Sequence, residues 1–145
     1  MQEKSVFNIC QQHSNDIDSN FIRFQNARKK DLNQAKKIFR SFKENLEKQI
    51  LWEENVLFPF FEKKTGMHQI GPTFCRKREH ENLQEVLKAV EDKLDKEDGN
   101  IEGEERHILS ILEIHSNKEE QFVFKKIDEI ASKEELKEIF AKREK

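Results

Sequence analysis

Residues 31–64 read DLNQAKKIFRSFKENLEKQILWEENVLFPFFEKK, and this stretch decides the fold. It holds no glycine, meets its only proline at Pro59, and is filled with the strong helix formers Glu, Lys, Leu, Gln and Ala. Alternating steps of three and four residues pick out Phe39, Phe42, Leu46, Gln49, Glu53, Val56 and Phe60, one face of a long amphipathic helix. The pattern predicts a helix over 31–64, with Pro59 kinking or ending it late because its ring has no N–H and collides with the preceding turn. Such a helix alone would leave its stripe in water, so it needs partners of the same kind.

The flanking segments supply them. A polar stretch at 26–31 separates a helix over 4–26, and a turn from Gly66 to Gly71 leads into one over 73–96. Asp98-Gly99-Asn100 forms a second turn before a helix over 101–129, and Ser132-Lys-Glu-Glu135 has the spacing of a capping box opening a short helix over 132–142. Long helices joined by short loops pack most simply as an all-α, up-down-up-down four-helix bundle with a short C-terminal helix. Twelve Phe and no Tyr predict a core rich in Phe and Leu. The 145 residues suit one domain, 1–145, with 34% apolar residues for one small core. A net charge of −2 argues against nucleic-acid binding by bulk charge. The N-terminus lacks a signal-peptide pattern, no apolar run is long enough to span a membrane, and Cys10 and Cys75 cannot make a disulfide framework. The expectation is a soluble cytoplasmic protein.

The stripes carry polar residues where a bundle is normally apolar. The first helix presents Val6, Cys10, His13, Ile17, Phe21 and Phe24; the third His80, Leu83, Leu87, Val90 and Leu94; the fourth Ile108, Leu112, His115, Glu119 and Phe122. A lone inward His is usually a satisfied core residue, but here polar groups recur on four converging faces. Removing an unpaired carboxylate from water costs several kcal/mol, against a total stability of about 5–15 kcal/mol for such a domain. No Lys or Arg shares the stripes near Glu53 and Glu119, so a bound cation is the economical compensation. His115-x-x-x-Glu119 and Gln49-x-x-x-Glu53 each place two donors one turn apart on one face, and His13 and His80 add imidazoles from the other two helices. Imidazoles with carboxylates and no thiolate on these positions suit first-row transition ions, iron foremost, then manganese or zinc.

These residues carry a resemblance to the hemerythrin-like (HHE cation-binding) family: His13 with Ile17, the stretch from Glu53 to Pro59 (EENVLFP), Gly71-Pro-Thr73 leading to Arg78-Glu-His80, and His115-x-x-x-Glu119-Glu. The resemblance covers most of the chain. It implies a four-helix bundle holding a non-haem di-iron centre, with Glu53 and Glu119 as bridging carboxylates, His13, His80 and His115 as imidazole ligands, and room for O2, NO or peroxide. Gln49 stands where the family has a second-helix His; its neutral amide oxygen ligates more weakly, so two irons are expected, with one uneven or singly loaded centre as the alternative. Arg76, one turn before His80, stands where oxygen-transport members have a further His, and the fourth-helix spacing also departs from theirs. Members that repair iron–sulfur clusters are more similar, through GPT and EH, although those carry an additional N-terminal cysteine-bearing domain that is not expected here.

The resemblance implies a protein that binds or senses O2 or NO, or handles iron or peroxide. The alternatives are an enzyme of oxidative or nitrosative stress, turning over peroxide or NO or repairing iron–sulfur clusters, and a metal-free helical interaction module whose buried Glu53 and Glu119 are protonated. Whether the chain is monomeric or homo-oligomeric is left open by these residues. Cys10 and Cys75 read as small core fillers, with a soft ligand or redox thiol compensating for Gln49 as the alternative for Cys10. Glu54, Glu79 and Glu120 face away from the ligand positions, with contact to a ligand His as their functional alternative. His107 reads as a surface or bundle-end residue, His68 as a solvated loop residue and Trp52 as packing.

Overall fold

The structure, a computed structural model, describes residues 5–67, 72–98, 100–115 and 118–143, with side chains at all of these except 72, 75 and 113–120. Among the described residues there is no strand. Helix α1 spans Val6–Arg28, α2 Leu32–Trp52, a π-helical turn Glu53–Leu57, α3 Phe58–Thr65, α4 Pro72–Asp95, α5 Glu102–His115, α6 Lys118–Ile130 and α7 Lys133–Arg143. The boundaries lie within two residues of those expected from the sequence, and the helix predicted over 101–129 corresponds to α5 and α6, either side of residues outside the description. Packing runs in a ring, α1 on α2, α2 on α4, α4 on α5 and α6, and α6 back on α1, which closes a four-helix bundle. Among the described residues no helix is long and apolar enough to cross a membrane.

Local chemistry sets the ends. Ser5 caps α1 by accepting from the Asn8 N–H, and Asp31 caps α2 by accepting from the N–H groups of Asn33 and Gln34. The first N–H groups of α1 also reach across the bundle: those of Val6 and Phe7 donate to the two carboxylate oxygens of Asp128 on α6, at 2.7 and 2.9 Å. Gly66 closes α3 at φ 76°, a left-handed conformation that glycine adopts without penalty. The expected capping box is formed: Ser132 Oγ accepts from the Glu135 N–H at 3.1 Å and Glu135 Oε1 from the Ser132 N–H at 2.9 Å.

Pro59 neither ends the second helix nor simply kinks it. Ahead of it the backbone widens into the π turn, where the Phe58 N–H donates to the carbonyl of Glu53, five residues back. This removes the collision a proline ring would make with the carbonyl four residues earlier. The extra residue turns everything downstream by about one residue step. Leu57, Phe58 and Phe61 are therefore buried, while the Val56 and Phe60 expected from the stripe are only partly so. Phe122, also expected to face inward, is 48% exposed, and Val123, Phe124 and Ile127 of the same helix are buried instead.

The buried residues form two apolar clusters. One gathers Phe21, Phe24, Phe39, Phe42, Leu46, Leu83, Leu87 and their neighbours, with the Phe21–Phe42 and Phe24–Phe39 ring centroids 5.3 and 5.1 Å apart. The other joins Val6, Cys10, Trp52, Leu57, Phe58, Phe61, Val123, Phe124, Ile127 and Ile139. Along α1, His13 falls between Cys10 of the second cluster and Ile17 of the first, and on α2 Gln49 sits next to Ile50 of the first and Glu53 next to Trp52 of the second.

Candidate metal centre

Glu53 is the first residue of the π turn and only 2% exposed; His80, in the first half of α4, is 1% exposed. His80 Nε2 stands 3.4 Å from Glu53 Oε2, and Nδ1 stands 3.1 Å from Glu54 Oε1. The Phe58 ring lies stacked beside the imidazole, centroids 5.9 Å apart and planes 12° from parallel, which restricts its orientation. Burial above all, and then the nearby Arg76 charge, push the His80 pKa down to about 4, against the opposing pull of Glu54 and Glu79. The ring is thus neutral at pH 7. An ionised carboxylate only accepts, so Nδ1 carries the proton donated to Glu54 and Nε2 presents a lone pair to Glu53. Two lone-pair-bearing atoms at this distance repel unless a cation or a proton lies between them.

Glu53 also lines a cavity of about 30 Å³, large enough for a water molecule or an ion. Cys10 and His13 from α1, Gln49 from α2 and Glu53 line it. Gln49, 8% exposed, donates from Nε2 to Cys10 Sγ at 3.4 Å. The His13 pKa is lowered, first by burial and then by the Arg143 charge, while a hydrogen bond to the backbone of Asn45 and the Asp16 charge act the other way.

The structure thus brings four of the six expected residues together: His13, Gln49 and Glu53 around one cavity, and Glu53 with His80. His115 is the last residue of α5 and Glu119 the second of α6, and both side chains lie outside the described residues, as do those of Cys75 and Glu120 and the whole of His68 and Gly71. Among the described residues, no group of three His, Cys, Asp or Glu side chains is gathered closely enough to hold a metal ion. The chemistry of the donor set nevertheless fits a divalent transition ion: a buried carboxyl group, an imidazole kept neutral and turned toward it, and a second imidazole biased to the neutral form.

Two residues have larger roles than the sequence suggested. Glu54 makes the contact to a ligand-type His that was the alternative to facing away; the Glu53-Glu54 doublet at the start of the π turn was the available signal. Arg76 is 1% exposed and ion-paired with Glu79, a buried cation one turn from His80. Trp52 is a packing residue whose Nε1 donates to the Ile139 carbonyl at 3.0 Å, and His107 is exposed.

Against known proteins, the family model described as the hemerythrin HHE cation binding domain matches residues 6–109. No curated protein and no solved structure matches the chain.

Proposed function

The chain belongs to the hemerythrin HHE cation-binding domain family, and from that premise we propose that it holds non-haem iron among the buried polar residues next to its two apolar clusters and uses it, in the cytoplasm, to bind or sense O2 or NO, or to handle iron or peroxide. The ligands in this reading are His13, Gln49, Glu53, His80, His115 and Glu119. The observation that carries it is the Glu54–His80–Glu53 array, in which a buried imidazole is held neutral, fixed in tautomer by the partly exposed Glu54 carboxylate and turned toward the buried Glu53. Bound iron would supply exchange of electrons with a small oxidant or a diatomic ligand.

The chain's own residues do the rest. Glu54 and Phe58 orient His80, and Glu53 stands beside His80 and lines the cavity shared with His13 and Gln49. Gln49, a neutral amide, makes the His13 side the weaker position.

The test is iron per chain after anaerobic loading with Fe(II), with visible spectra before and after admitting air. Two irons and a new absorption in air are expected. One iron, raised to two by Gln49→His, would locate the weak position at Gln49. Failure of wild type to retain iron, or retention of the full complement by Glu53→Ala, would overturn the reading.

A further inference from the structure

The cavity beside Gln49 has a sulfur atom in its wall. Cys10 is 6% exposed and belongs to an apolar cluster, which a small core filler would explain. A filler does not explain the rest. Cys10 and His13 are three residues apart on α1, so their side chains are neighbours on one helix face. The Gln49 amide nitrogen is directed at the sulfur, while its oxygen has no hydrogen-bond partner among the described residues although the side chain is more than nine-tenths buried. Glu53 lines the same cavity.

We infer that Cys10 is a thiolate donor to the ion on the His13 side, in the place where Gln49 makes the donor set weakest. The inference rests on the metal-binding reading above. A divalent ion held there by His13, Gln49 and a carboxylate shared with the His80 side meets little negative charge. As the sulfur–metal bond forms, the thiol proton leaves to solvent and the ion gains an anionic ligand. The four side chains line the cavity without converging on one point, so ligation turns Cys10 and His13 inward across about 30 Å³. A sulfur donor also shifts the preference of this position toward thiophilic ions such as Zn(II) or Co(II), while the all-oxygen-and-nitrogen His80 side keeps the preference for iron. The two positions then differ in kind as well as in strength.

Anaerobic Co(II) titration of the full chain separates the possibilities, because cobalt reports its geometry through ligand-field bands and a thiolate ligand through a separate near-ultraviolet charge-transfer band. Wild type and Cys75→Ser are expected to show both; Cys10→Ser should lose the charge-transfer band, keep ligand-field bands and bind its second equivalent at least tenfold more weakly. Ligand-field bands without charge transfer in wild type, or an undiminished band in Cys10→Ser, would overturn the thiolate ligand and leave the metal centre standing. No cobalt bands at all would overturn both. Should Cys10→Ser fail to fold, X-ray absorption of the Zn(II)-loaded wild type decides: a sulfur scatterer at about 2.3 Å supports the inference and nitrogen and oxygen scatterers alone refute it.

Discussion

Glu54 is the residue on which the candidate centre depends without being one of its ligands. It accepts from His80 Nδ1, fixes the tautomer and leaves Nε2 aimed at Glu53. Partners of this kind typically tune metal affinity by about 10–100-fold. Glu54→Gln should therefore weaken metal binding by about that factor while the circular dichroism of the metal-free chain stays unchanged; a titration with Fe(II) or Co(II) measures it. An unaltered affinity would mean that the contact is incidental. The ligand-type residues were legible as interruptions of apolar stripes, because a buried His or Glu on a helix's inner face is costly wherever it occurs. Glu54 was not, because adjacent helical positions diverge by about 100° and the doublet alone does not say which neighbouring helix its second member meets. The buried Arg76 lies on the His80 stripe, one turn before it, but the stripe does not decide its fate, because a long side chain on an inner face can also carry its charge out to water.

At the scale of the element, the short last helix shows most directly how local chemistry holds a distant segment. α7 begins on the Ser132–Glu135 capping box and docks where Trp52 Nε1 meets the Ile139 carbonyl, with the Arg143 guanidinium 5.4 Å from the Trp52 ring centroid. Ser132→Ala should cost roughly 0.5–2 kcal/mol of helix stability. Because Trp52 is the only tryptophan, the loosening should register as a change in its fluorescence. The Glu135 pKa is held below its ordinary 4.5, first by the hydrogen bond from the Ser132 backbone and then by Lys64. A carboxylate with a lowered folded pKa contributes stability that is present above pH 4.5 and is lost as the pH falls through the folded value. Acid titration below pH 4.5 should thus loosen the first turn of α7 slightly in wild type and produce a smaller change in Glu135→Gln; equal responses would exclude this group. The helices and the Ser132–Glu135 cap were readable because turn residues and periodicity are local. The π turn was not. Its cause, Pro59, was visible, but a proline can kink a helix, end it or widen it, and the packing of Leu57, Phe58 and Phe61 selects the last.

The described core consists of two apolar clusters with buried polar residues next to both, and the clusters supply the stability that burying those polar groups costs. Phe42 is buried in contact with Phe21 and Phe39. Phe42→Ala should cost about 3–5 kcal/mol, a large share of the stability of a domain of this size, and urea unfolding should show a lowered midpoint with little change in slope. The bundle arrangement was legible because four amphipathic stripes have few ways to bury one another. Which residues of the last long helix face inward was not, since Phe122 and Val123–Phe124 are equally apolar in the sequence and only packing places the first outside.

The carboxylate of Asp128 bonded to the amides of Val6 and Phe7 has a consequence for where the chain can be cut. The stretch that matches the family model, 6–109, contains the start of α1 but not the residue that binds its first two amides, nor Val123, Phe124, Ile127 and Ile139 of the second cluster. Excised, it would leave two helix-end donors to water and an open apolar wall. Such a fragment is expected to be poorly soluble, with a broad thermal transition or none, whereas 5–143 should melt cooperatively. The first turn of α1 and the last long helix are thereby fastened to each other, and what a sequence comparison delimits as the recognisable unit is smaller than the set of residues that pack together.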